Sequence, residues 1–274
     1  MTHTRNESST KRGPFSGINV IDMGVGGVDP LAASMLGFLG ANVVKVEAPF
    51  REMLFSQIPQ QKGVGFAWLN SNLNKRNVIL DLREADDLAR FQTLVRDADI
   101  VMENQKPGSL AKFGVTIEDL KELNPNIILM SCPGWGNFGP MRAWPCFAPY
   151  AEAHGSAGGL SGPEGERPEL IRYPYHDANA SSFINASVLL ALMARTRTGQ
   201  AQEIHLSQLA STMAVTISRS AEYLVTGQDP VPLGSASSST APHQAFLCQD
   251  RRWLAIGVET QTQWLNLCEA IDMG

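Results

Sequence analysis

Residues 17–47, GINVIDMGVGGVDPLAASMLGFLGANVVKVE, read as one β-α-β unit of an open parallel sheet. Ile18, Asn19, Val20, Ile21 and Asp22 form a β-branched run bounded by Gly17, and Gly24, Gly26 and Gly27 then mark a turn. Asp29 and Pro30 are expected as N-cap and first helical residue, and the apolar run 31–39 stops at Gly40. Residues 42–47 supply the second strand. A dinucleotide fingerprint would need Gly-x-Gly-x-x-Gly, with an acidic residue about 20 positions on to hold the ribose. Gly24, Gly26 and Glu47 fit, but the third glycine position is Asp29, a carboxylate where a pyrophosphate should meet the helix N-terminus. The unit therefore predicts the fold and argues against a nicotinamide or flavin ligand.

The same rhythm continues outward. A strand is expected over 77–82, an amphipathic helix over 84–96 and a strand over 100–103. The loop 104–108 then lies at a strand's C-terminal end, where open α/β sheets bind ligands. Thr116 with Asp119 resembles a capping box for a helix ending near Asn124, and 127–132 is the next strand. The stretch 133–145 is rich in Gly, Pro and Trp and is expected to line something. A helix over 177–197, apolar through 186–194, is expected to be buried on most sides. A strand at 203–206 and a helix capped by Ser207 and running to about Val225 follow.

Composition changes at 227–241, which divides the chain into a tail at 1–15, a large domain at 16–226, and a linker with the start of a small α+β domain at 227–274. Paired strands over 245–248 and 253–258 and a helix over 262–271 make an unfinished second unit, so the chain reads as part of something longer or completed by another chain.

The net charge of -5 argues against general nucleic-acid binding. No apolar run reaches the roughly 20 residues of a membrane span. The expected setting is cytoplasmic, with Cys132, Cys146, Cys248 and Cys268 as reduced thiols. Neither zinc-type spacing, HExxH nor Gly-x-Ser-x-Gly occurs, so no metal site or serine nucleophile is expected.

Asp177 is the residue singled out for chemistry. One reading makes it the N-cap of a buried helix; the other makes it a nucleophile kept ionised by that helix's dipole. His176 is adjacent, but sequence neighbours usually point apart, so a separately satisfied or exposed histidine is expected. Lys75 with Arg76, and Lys106 with Lys112, read either as solvated charge or as a basic edge for an anionic ligand.

Together these residues resemble the family III CoA-transferases of the CaiB/BaiF type, with formyl-CoA transferases the most similar in spacing. The carrying segments are 17–22; 37–42 with Lys45 and Glu47; 74–76 with 80–82; Glu103, Asn104, Pro107 and Gly108; 123–125; Gly134, Gly139 and Pro140; and Thr198 with Gly199. The resemblance implies a Rossmann-like large domain, a small domain and an interlocked dimer. It implies Asp177 as nucleophile and CoA contacts at Val28, Leu80, Arg83, Asn104, Gln105, Lys106 and Lys112. CoA would be a substrate, with no tightly bound cofactor, and the partners an acyl-CoA, a small carboxylic acid and a second copy or paired subunit. Trp135, Phe138, Trp144 and Phe147 would exclude water from an anhydride, or simply pack. The chain departs from the family at Asp29, where Gly is frequent, at Ala48, where some members are basic, and at 145–150, which lacks a common aromatic-Asp element. A related α-methylacyl-CoA racemase would need a His-Asp pair where Phe147 and Ala148 stand, and a noncatalytic CoA-binding partner subunit is the other alternative.

Overall fold

The computed structural model describes residues 13–50, 60–61, 64–155, 157–169, 171 and 175–273. Most of the expected tail 1–15, and Tyr173 and Pro174 ahead of Asp177, lie outside them. Two compact units form, one from residues 1–151 with 174–212 and one from 152–173 with 213–274. The composition change at Gly227 lies inside the second.

The first unit is built on a six-stranded parallel sheet. Its strands are β1 (Asn19–Asp22), β2 (Asn42–Glu47), β5 (Arg76–Ile79), β6 (Ile100–Glu103), β7 (Ile128–Ser131) and β8 (Gln202–His205), in the order β5-β2-β1-β6-β7-β8. The short strands β3 (Gln60–Gln61) and β4 (Val64–Gly65) pair separately. Strand β5 ends at Ile79, short of the expected 82, although the Leu80 N–H still donates to the Glu47 carbonyl at 2.9 Å. Strand order reverses between β1 and β6, and such switch points open a crevice at the strand C-termini.

Helices cover both faces. On one, α1 (Val28–Phe38) and α6 (Tyr175–Thr198) bury Ala32, Leu36, Ile184 and Val188 against Val20, Ile100 and Met130. On the other, α3 (Ala85–Arg96) and α4 (Ile117–Leu123) bury Phe91, Val95 and Leu120 against Ile21, Val101 and Leu129. Alternate residues of each strand face opposite ways, so each layer takes its own set. Two short helices lie between these in the chain, α2 (Phe66–Ser71) and α5 (Ala148–His154), the latter just after the Gly- and Pro-rich stretch 133–145.

Helix α6 departs from the expected burial on most sides. Its buried residues are His176, Ala180, Ser181, Ile184, Val188 and Ala191, a single stripe, while Phe183, Leu189, Leu190 and Met193 are exposed on this chain. The stripe packs on α1 and the sheet, and outside it Asn179 donates to the Ser211 carbonyl at 2.6 Å and Arg195 reaches Asp99 Oδ1 at 2.7 Å. Helix α7 (Gln208–Thr226) begins after Ser207, whose Oγ accepts from the Ala210 N–H at 3.2 Å, as expected of a cap.

In the second unit β9 (His243–Leu247) and β10 (Trp253–Gly257) form an antiparallel hairpin, followed by α8 (Gln261–Ala270). Thr260 and Gln263 close a reciprocal capping box on α8. No described helix is long and apolar enough to cross a membrane.

Candidate functional site

The β1/β6 switch point holds a cleft of about 400 Å³. Its walls are the loop after β1, the end of β2, the loop after β5 and the segment after β6. Of the seven expected CoA contacts, Leu80, Arg83, Gln105 and Lys112 line it, whereas Val28, Asn104 and Lys106 do not. The Arg83 guanidinium lies 4.5 Å from the centre of the Phe50 ring and is held by Asp81 at 2.6 Å. Glu47, the residue placed to suit a ribose, also lines the cleft and accepts from Trp68 Nε1 at 3.0 Å.

The glycine turn between β1 and α1 is held from below. Asp22 and Lys45 pair in register on adjacent strands, with Nζ 3.3 Å from Oδ1, and Lys45 also donates to the Gly24 carbonyl. Lys75 donates to Asp22 Oδ2 at 2.7 Å, and lies within 2.6–2.9 Å of the Pro30 and Ser71 carbonyls and Asn72 Oδ1. Its side chain is 1 % exposed, which overturns both readings of Lys75 as surface charge or ligand-facing charge. Burial would raise Asp22, but the two lysines outweigh it and hold the carboxyl below its usual value. Sharing one carboxylate, Lys75 is pulled the other way by burial, down to about 8. Asn104 clasps the turn from the side, donating to the Val25 carbonyl at 2.7 Å and accepting its N–H at 2.8 Å.

Asp29 is not the N-cap. Gly27 is, without a side-chain cap, and Asp29 sits in the first turn with its carboxyl fully buried. Neither of its oxygens has a hydrogen-bond partner among the described residues. Burial first, then the negative Glu103 and Asp22, push it well above the usual carboxylate range, which favours the neutral acid. It packs instead beneath Gly24, where any side chain would strike Asp29 and Pro30.

Asp177 lies in the first turn of α6, two residues inside the helix start and therefore not an N-cap either. Its carboxylate rests against Gly27: a Cβ there would fall on Oδ2 and within 2.8 Å of Cγ. Ser181 fixes that approach, its Oγ lying 2.7 Å from both the Asp177 carbonyl and the Val28 carbonyl. Thus Gly24 and Gly26 line the cleft while the next residue abuts Asp177. The uncapped first-turn N–H groups of α1, together with the first turn of α6, put positive potential around this carboxylate.

His176 does not point away from its neighbour. It is 1 % exposed, with Nε2 2.8 Å from Asp177 Oδ1 and 3.3 Å from Gln208 Oε1. The thiol of Cys146 is pushed up to about 11 by burial and by the negative charge of Asp177. Among the four aromatics expected as a water shield, only Trp135 is buried, its Nε1 donating to the Pro145 carbonyl at 3.1 Å. Phe138, Trp144 and Phe147 are exposed on this chain, although the Phe138 ring meets His205 edge-on and the Phe147 ring meets Tyr150. Ser181 and Gln208 are not singled out by the sequence, and Gly27 reads there only as a turn residue. The Gly26-Gly27 pair and a serine four residues after Asp177 were the available signals.

A switch-point cleft with basic residues at its rim and a carboxylate beyond its glycine turn accords with the family resemblance, and comparison with known proteins decides it. Residues 15–274 match the family described as CoA-transferase family III. The chain belongs to CoA-transferase family III. Its relatives within the family include the succinyl-CoA–L-malate CoA-transferase alpha subunit of Chloroflexus aurantiacus, 33% identical over 94% of this chain and 61% of that protein. Another is the succinate–glutarate CoA-transferase of Agrobacterium fabrum, 28% identical over 96% of this chain and 68% of that protein. Among solved structures, a CaiB/BaiF family protein from Brucella suis superposes with a TM-score of 0.85 at 27% identity, covering 96% of this chain and 71% of that one. The chain thus spans about three fifths of the length of its Chloroflexus family III relative.

Proposed function

We propose that this chain moves coenzyme A from an acyl-CoA to a small carboxylic acid, with Asp177 as the nucleophile. The observation that carries the reading is the carboxylate of Asp177 held against Gly27, directly beyond the glycines that line the cleft. An ionised Asp177 oxygen attacks the thioester carbonyl of the donor; the C–S bond breaks and CoA leaves as thiolate, giving a mixed aspartyl anhydride. The thiolate then attacks Cγ of Asp177, the anhydride C–O bond breaks, and the donor acid departs as carboxylate. The resulting aspartyl-CoA thioester meets the acceptor carboxylate, and the two steps run in reverse. No proton and no redox equivalent is transferred overall, so the chemistry needs no cofactor beyond the CoA being moved.

The cleft supplies the complementary binding surface. Arg83 and Lys112 at its rim suit the phosphates of CoA, while Leu80 and the glycine turn suit its narrower thiol-bearing arm. Val28, Asn104 and Lys106, the other expected contacts, act on CoA in this reading through the turn and loops they belong to. The active form would be a pair of chains, a homodimer or a pairing with a second subunit. Both the alpha and the beta subunit of the Chloroflexus malate transferase align with 94% and 97% of this chain, which supports a partner of the same kind.

Intact-mass measurement after incubation with a panel of acyl-CoAs tests the assignment. A covalent CoA or acyl adduct should form, and Asp177→Ala should abolish it. An adduct that persists in the alanine variant places the nucleophile elsewhere, and CoA binding without any adduct favours a noncatalytic partner subunit.

A further inference from the structure

We infer that His176 is a second catalytic residue, the hydrogen-bond donor to the oxyanion that forms on Asp177 Oδ1 each time Cγ of Asp177 is attacked. The inference rests on the assignment of Asp177 as nucleophile.

The proton on His176 can be located from the groups around it. Gln208 Nε2 lies 3.0 Å from the Cys132 carbonyl, which can only accept, so that end of the amide is the NH₂ group. The other end, Oε1, faces His176 Nε2 at 3.3 Å and has no proton to give. Asp177 Oδ1 lies 2.8 Å from the same ring nitrogen. Two acceptors converging on a nitrogen that is buried require it to carry the hydrogen, because a lone pair there would face lone pairs from both sides. Nε2 is therefore N–H whatever the charge of the ring.

The two carboxylate oxygens of Asp177 are consequently unlike. Oδ1 is tied to His176, whereas Oδ2 is the one lying at Gly27, at the end of the turn that lines the cleft. Oδ2 is the oxygen placed to attack the thioester, leaving Oδ1 as the carbonyl oxygen of the anhydride. When CoA thiolate adds to Cγ, the C–S bond forms and the carbonyl electron pair moves onto Oδ1. Collapse returns that pair and expels the donor carboxylate. The acceptor carboxylate adds to the aspartyl-CoA thioester by the same route. In both additions the negative charge appears 2.8 Å from a fixed N–H, within the range at which an oxyanion donor acts. The first attack is different, since its charge develops on the substrate's own carbonyl oxygen.

The test separates these stages in the full-length protein. His176→Leu removes the donor at similar volume, and His176→Gln can return an N–H to the same place. The leucine variant should lower kcat about 100-fold with the acyl-CoA KM within about threefold, and accumulate the acyl anhydride at the expense of the aspartyl-CoA adduct. The glutamine variant should recover at least about tenfold. The ¹⁵N shifts of His176 in the unaltered protein should report a protonated Nε2, a readout that holds even if the leucine variant fails to fold. Unchanged kcat in His176→Leu, no recovery in His176→Gln, or an unprotonated Nε2 would overturn the inference. If Asp177→Ala still reacts, it is the nucleophile assignment that has failed; if that variant is inert while His176→Leu is unimpaired, only the role of His176 falls.

Discussion

Gly27 presents its Cα to the carboxylate of Asp177 so closely that no side chain fits between them. Its backbone is right-handed helical, φ -95 and ψ -41, a conformation alanine adopts without strain. Gly27→Ala therefore isolates the steric effect. The added methyl should displace Asp177 from its seat and lower turnover about 100-fold, the effect of a misplacement of about 1 Å. CoA affinity, measured by calorimetry, should change little because the cleft walls are untouched; a variant with normal turnover would show that the seat is not needed.

Lys75 is a buried charge that serves four acceptors at once. Lys75→Met would leave Asp22 with Lys45 as its one cationic partner among the described residues and would take one donor from each of the Pro30 and Ser71 carbonyls. Breaking a buried pair from one side costs about 3–5 kcal/mol, and a urea titration should show a loss of that size. A loss below about 1 kcal/mol would mean that the surroundings relax to readmit water.

Asp29 sets a pH dependence of definite sign. Its folded value lies well above the model-peptide 3.8, so above that pH the folded chain holds a proton that the unfolded chain releases. This group's contribution is fully present below 3.8 and is lost as pH rises toward the folded value. Asp29→Asn has the same shape and no titration. The melting temperature of the variant minus that of the parent should therefore grow more positive from pH 4 to pH 8, and a flat or falling difference would contradict a buried neutral acid.

Lys112→Ala and Arg83→Ala probe the rim of the cleft. Both side chains are solvent-facing charges, so each should raise the KM for acyl-CoA about fivefold, a surface-pair effect, and leave kcat unchanged. The increases should shrink at high salt. A fall in kcat instead would mean that these groups act on the reacting end of the substrate.

The sheet was legible from the first β-α-β stretch because period and punctuation are local properties. Val20, Ile21 and Val43 announce strands, and Gly40 a helix end, without reference to anything distant. The cleft followed from topology, since the loop after Glu103 had to emerge at a strand C-terminus. What sequence could not convey were the long-range pairings. Lys75 looked like solvated charge because its partner, Asp22, belongs to a strand two positions away in the sheet. His176 looked detached from Asp177 because Gln208, which meets the same ring nitrogen, lies 32 positions away in the chain. Asp29 was misplaced by one rule, the preference of Asp for caps, that the Gly24 contact overrides: the space beneath that glycine is filled by Asp29 itself.

Ser181 touches both Asp177 and Val28, the latter 153 positions earlier in the chain. During synthesis the early sheet can fold while α6 is still unmade, and throughout that interval there is no seat for a carboxylate. In the proposed mechanism the anhydride would consequently arise only after the protein that must protect it exists. By the same linkage, local opening between α1 and α6 would silence the site before the sheet beneath is lost, making catalytic competence an early reporter of unfolding.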